Sequence, residues 1–162
     1  MSARIRSVYV LGLGKVGSLV ATLLHETGFE VTGADLHDQA GLPCSTQKLD
    51  FCKLDDLPAE MKGFDAVVSC LPYHFNIEVA SVAHDLGIHY FDLTEDVRTT
   101  KAILQIIARE GLDIDASSLN EARRAHNAGI PLERILLTTQ EIYQGQNMKD
   151  LEEMMENGLL YN

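Results

Sequence analysis

The chain has 162 residues, 46% apolar and 23% charged, the balance of an ordinary globular protein with one core and not of a disordered chain. Acids outnumber bases 24 to 13, for a net charge of -11. This argues against a nucleic-acid binder, which carries a basic patch, and requires any phosphate site to be local and built from backbone N–H groups.

Cys44, Cys52 and Cys70 match no zinc spacing and fit free thiols in a reducing cytoplasm, with Cys70 buried. No apolar run reaches the roughly 18 residues of a membrane span. Met1-Ser2-Ala3-Arg4 leads straight into an apolar run, unlike a signal peptide.

In chain order, strands are predicted near 6–11, 30–35, 46–50, 65–70, 88–93, 112–116, 134–139 and 159–161. A glycine closes a helix or linker ahead of six of them: Gly28, Gly63, Gly87, Gly111, Gly129 and Gly158. Glycine takes the left-handed conformation that ends a helix at no steric cost. The intervening helices are amphipathic. Leu19, Val20, Leu23 and Leu24 line the first; Ile77, Val79, Ala80, Ala83 and Leu86 a later one; then come Ile103, Ile106 and Ile107. Leu119, Ala122 and Ala125 follow a capping box, Ser118-x-x-Glu121. Met148, Leu151, Met154 and Met155 form the last stripe, with Asn147 as N-cap. Repeated strand–helix alternation implies α/β architecture: a Rossmann-like, three-layer, doubly wound parallel sheet of about eight strands with helices on both faces, one domain over residues 1–162.

Val8-Tyr9-Val10-Leu11 is followed by Gly12-Leu13-Gly14-Lys15-Val16-Gly17 and then by the first helix. This is G-x-G-x-x-G in the context that gives it meaning, a strand before and a helix after. The first glycine makes the turn, the second admits a pyrophosphate and the third lets helix and strand approach. The helix N-terminus offers free N–H groups to the phosphates. Asp35, with Leu36 beside it, ends the second strand, where an acid takes ribose hydroxyls and opposes a 2′-phosphate. NAD is therefore favoured, and Lys15 and His37 keep NADP open. Ser69, Cys70, Leu71 and Pro72 end a central strand and belong beside the middle of the cofactor. His74 reads as a solvated or capping residue, and Thr94, Glu95 and Asp96 as a helix start. His84 and His89 have no ligand partners at metal spacing, and His89 reads as a packed strand residue.

Residues 6–98 resemble the NAD(P)-binding domain of the saccharopine dehydrogenase family, through Val10–Gly17, Ser69-Cys70-Leu71-Pro72-Tyr73-His74 and Tyr90-Phe91-Asp92-Leu93-Thr94-Glu95-Asp96. The resemblance implies oxidation or formation of a secondary amine between amino-acid-like substrates. It places Gly12, Gly14, Val16 and Asp35 on the cofactor, and Leu71 and Pro72 near the nicotinamide. Residues 101–162 are similar to the early barrel of the pyridoxal-phosphate decarboxylases related to diaminopimelate decarboxylase, through Gly111–Ala122, Gly129–Leu137 and Gly158–Asn162. Lys101 lies too close to Gly111 to be that family's Schiff-base lysine, so no pyridoxal phosphate is expected.

The double resemblance implies an engineered chimera whose barrel-derived strands extend the Rossmann sheet in the order 3-2-1-4-5-6-7-8. The expected function is dinucleotide binding without turnover, with no catalytic or metal residue assigned, in a monomer or a homodimer through an edge strand. A folded structure without ligand and an NAD(P)-dependent oxidoreductase on CH–NH donors are the alternatives.

Overall fold

The computed structural model describes residues 5–37, 39–51, 53–93 and 96–162. Met1–Arg4, Cys52, Thr94 and Glu95, on which some sequence expectations fall, lie outside the described residues. The chain divides into two compact units, residues 1–99 and 100–162.

The first unit runs β1 (Ser7–Leu11), α1 (Lys15–Glu26), β2 (Glu30–Asp35), β3 (Ser45–Lys48), α2 (Leu57–Met61), β4 (Ala66–Ser69), α3 (Asn76–Leu86) and β5 (His89–Asp92). Its five strands form a sheet in the order β3-β2-β1-β4-β5, with every pair parallel. Side chains alternate across β1. Val8 and Val10 join Ala21 of α1 in one core, and Tyr9 and Leu11 join Leu57, Met61, Val79 and Ala83 of α2 and α3 in another. Helices therefore cover both faces, as continuous apolar strands require.

The second unit holds most of α4 (Val97–Glu110), then β6 (Ile114–Ala116), α5 (Leu119–Asn127), β7 (Ile135–Leu137), α6 (Gln146–Glu156) and β8 (Leu160–Tyr161). Its strands are also parallel, in the order β6-β7-β8. The expected order therefore holds for five strands and not for eight: β6, β7 and β8 form a sheet of their own. The reason is burial. Leu104, Ala116, Leu119, Ala122, Ile135, Leu137 and Leu159 close a core within this unit, so its strands do not need the first sheet to bury their apolar faces.

Five local expectations change. Leu19 and Leu23 are more than half exposed, and the packed face of α1 is instead Gly17 and Ala21, with Leu24 against the same core. Ile77, Met148 and Met155 are also exposed rather than packed. His89 is exposed on β5. Cys70 is half-buried rather than buried. The N-cap of α6 is Gly145, with Asn147 inside the helix. The short helix α2 ends just ahead of Gly63, which has φ +97°. Half of the capping box forms: Glu121 N–H donates to Ser118 Oγ at 3.2 Å, while the Glu121 carboxylate reaches one residue further back and accepts from Ser117 N–H and hydroxyl, each at 2.9 Å. At the head of α4, Asp96 caps by accepting from Thr99 N–H at 2.7 Å.

Candidate dinucleotide site

The chain winds from β1 to β2 and β3 on one side, then returns to place β4 on the other side of β1. Ligands of open α/β sheets bind at such a reversal, beyond the carboxyl ends of the strands. Gly12 leaves β1 here with φ +85°, and its N–H donates to Ala34 O at 2.8 Å. A Cβ on Gly12 would stand 3.0 Å from Cys70 O and 3.0 Å from Leu71 Cδ2. The turn after β1 and the loop after β4 thus abut.

The glycines divide the work. A Cβ on Gly17 would stand 1.7 Å from Gly12 O, whereas a Cβ on Gly14 would meet nothing within 4 Å. Gly17 is needed for packing and Gly14 leaves open space. Gly14 is the N-cap of α1, where no side chain caps the helix and no acid stands in the first turn. The first hydrogen bond of the helix runs from Ser18 N–H to Gly14 O at 2.9 Å, which leaves the amides of Lys15, Val16 and Gly17 without an intrahelical acceptor. Free amides, the positive end of a helix dipole and open space over Gly14 fit a pyrophosphate. The Lys15 side chain and Val16 are exposed at the same helix end.

Asp35 ends β2 and is tied to the turn. Its Oδ2 accepts from Leu13 N–H at 2.7 Å and its Oδ1 from His37 N–H at 3.0 Å. The exposed His37 ring lies 3.7 Å from Oδ1. Leu36 is exposed beside it. Two residues the sequence reading passed over hold the turn. Leu13 lies over Gly33, where a Cβ would stand 2.6 Å from Leu13 Cδ2, and Ser18 Oγ donates to Leu13 O at 2.7 Å. Gly33 inside a strand was the available signal, since a strand glycine marks a close approach.

At β4, the four predicted residues separate. Cys70 and Leu71 face the glycine turn. Burial pushes the Cys70 thiol up, so it stays neutral. Pro72 is exposed and opens a turn closed by Phe75 N–H to Pro72 O at 3.0 Å. Ser69 is buried and donates to Asn76 Oδ1 at 2.7 Å, away from solvent. His74 is exposed and lies 4.2 Å from the Phe75 ring centroid. On β5, Tyr90 Oη donates to Asp92 Oδ2 at 2.7 Å. Burial, then Asp92, keep that phenol protonated. Among the described residues no group of three or more His, Cys, Asp or Glu is placed to hold a metal ion, and no helix is long and apolar enough to cross a membrane.

A family model described as the saccharopine dehydrogenase NADP binding domain matches residues 8–131. The chain belongs to this family. The match extends past residue 100 to residue 131, and descent of residues 101–162 from a barrel, and a join of two parents, find no support. The family's description also names NADP, where Asp35 had favoured NAD. We found no match among curated proteins.

Among solved structures, the chain is 21% identical to the Shewanella denitrificans Kef CTD in its AMP-bound form, with a TM-score of 0.54 over 62% of this chain and 67% of that one. It is 20% identical to a saccharopine dehydrogenase (L-Glu forming) from Saccharomyces cerevisiae, with a TM-score of 0.51 over 82% of this chain and 26% of that one. It is 21% identical to a D-isomer specific 2-hydroxyacid dehydrogenase from Xanthobacter autotrophicus, with a TM-score of 0.50 over 100% of this chain and 48% of that one. These likenesses show the Rossmann-type fold. The chain spans about a quarter of the yeast enzyme's length and about half of the hydroxyacid dehydrogenase's.

Proposed function

We propose that residues 1–99 bind NADP, with the pyrophosphate over Gly12, Gly14 and Gly17 at the head of α1. The observation that carries this reading is the contrast between Gly17, where a Cβ collides, and Gly14, where it meets nothing beside uncapped helix amides. Lys15 and Val16 flank the phosphates, and Asp35 and Leu36 border the adenosine ribose. Cys70, Leu71 and Pro72 wall the side toward the nicotinamide. A 2′-phosphate would meet the Asp35 charge, which Lys15 at the helix end can offset. Family membership is what favours NADP over NAD here.

The bound cofactor would supply or accept a hydride. The protein's part at this site is to bind and orient, and no side chain is assigned to proton transfer. A second reading, favoured by the family match, is that the chain is the cofactor-holding part of an oxidoreductase acting on CH–NH bonds of amino-acid-like substrates. Calorimetric titration with NADPH and NADH tests the first reading. Saturable binding that is lost in Gly14→Val supports it, and absence of heat with either cofactor from a cooperatively melting protein overturns it. Turnover of NADPH with an oxo acid and an amine tests the second.

A further inference from the structure

Ser69 closes β4 and Asn76 opens α3, and each is only 1% exposed. Their hydroxyl–carbonyl hydrogen bond, 2.7 Å long, joins the two ends of the intervening loop, Cys70–Phe75. Burying a hydroxyl and an amide carries a desolvation cost that a single hydrogen bond roughly cancels. An apolar pair of similar size would be at least as stable there. The contribution of the pair is therefore geometric.

Its geometry leads to the site. Ser69 lies across from Leu11 in the β1–β4 ladder, one residue before Gly12. Immediately after Ser69, the Cys70 carbonyl and the Leu71 side chain close on Gly12, and Cys70 N–H donates to Leu11 O at 2.8 Å. The loop is held within by the turn closed on Pro72 O and at its two ends by Ser69 and Asn76. It borders the β4–β5 side of the crevice. The Asp35 carboxylate lies on the other side, at the end of β2. A dinucleotide spanning a reversal of strand order places one mononucleotide on each side.

We propose that Ser69 and Asn76 are a positioning pair that sets the Cys70–Phe75 loop as the wall for the non-adenosine half of the dinucleotide. The proposal rests on the cofactor reading above and assigns the pair no direct contact with the ligand. It separates the two halves of the cofactor, which makes it testable with fragments.

The test uses the full chain and compares NADPH with 2′,5′-ADP, which carries the adenosine half alone. Ser69→Ala should weaken NADPH roughly tenfold, the scale of one lost hydrogen bond, and leave 2′,5′-ADP within about twofold. Ser69→Thr, which keeps the hydroxyl, should restore NADPH affinity. Equal weakening of both ligands, or no weakening of either, would overturn the proposal and leave the pair a packing feature. Should Ser69→Ala fail to fold, Ser69→Cys carries the same comparison, since a thiol keeps the shape and is a weak donor. An unaltered protein that binds neither ligand overturns the cofactor reading and this proposal with it. Binding by that protein, with no distinction between the ligands in the variants, overturns the proposal alone.

Discussion

Gly17 packs so closely beneath Gly12 that a Cβ on Gly17 would stand 1.7 Å from the Gly12 carbonyl oxygen. That oxygen is backbone and cannot yield without moving the end of β1. Gly17→Ala should therefore cost about 3 kcal/mol or more, near 10 °C in Tm. Gly14→Ala meets no such obstacle and should cost less than about 1 kcal/mol, the difference between glycine and alanine at an N-cap. It should nonetheless weaken NADPH. Thermal unfolding and calorimetry on the two variants check this, and full NADPH affinity in Gly14→Ala would contradict the cradle.

Leu13 and Gly33 form a second close contact, 2.6 Å from a would-be Cβ to Leu13 Cδ2. Here the obstacle is a side-chain tip. Gly33→Ala should cost roughly 1–3 kcal/mol. Adding Leu13→Ala should recover part of that loss, so the double variant is more stable than the sum of the singles. Strict additivity in urea unfolding would show that the two residues do not touch.

Asp35 accepts the N–H of Leu13, a residue that is 2% exposed. Asp35→Ala leaves that donor unpaired and should destabilise by roughly 1–3 kcal/mol. Asp35→Asn keeps an oxygen for the donor and removes the charge. It should raise NADPH affinity relative to NADH, because the removed charge opposes a 2′-phosphate. Titration of both cofactors against Asp35→Asn gives the ratio, and an unchanged ratio places the adenosine ribose elsewhere.

Two half-buried carboxylates link stability to acid. Asp65 accepts from Ser7 N–H at 2.9 Å, Arg6 N–H at 2.8 Å and the Ser7 hydroxyl at 3.1 Å, and these bonds hold its carboxyl below the ordinary 3.8. The Thr99 N–H does the same for Asp96. A group whose folded pKa is depressed favours folding above the unfolded value, and that contribution is lost as pH falls through the folded value. Stability should thus begin to drop near pH 3.8, the unfolded value, and keep falling below it. Asp65→Asn should flatten the drop in urea midpoints over that window, and an unaltered slope would remove Asp65 from the account.

In the second unit, Ser118 Oγ accepts the Glu121 N–H. Ser118→Ala should cost about 1 kcal/mol. The Arg123–Asp150 ion pair, with each side chain about 30% exposed, should contribute under about 1 kcal/mol and fade with salt. Urea unfolding of Ser118→Ala and Arg123→Ala at low and high salt separates the two, since the cap does not respond to salt.

What the sequence by itself determined is local. The strand, glycine turn and helix over residues 7–26, and the acid at the end of the next strand, depend on neighbours in the chain, and spacing alone exposes them. The six glycines that precede strands all take φ between +68° and +109° for the same reason: only local backbone sterics are involved. The tertiary structure decided what depends on distance. An amphipathic stripe could not say which flank of α1 packs. The helix sits close over the sheet, so small Gly17 and Ala21 turn inward and Leu19 and Leu23 stay exposed. The pairing of Ser69 with Asn76 needed a loop to bring two polar residues together out of water. The parting of β5 from β6 depended on whether residues after 100 could close a core of their own, and Leu104, Ala122, Ile135 and Leu159 do so. Burial is a property of the assembled surface, and no short window of sequence contains it.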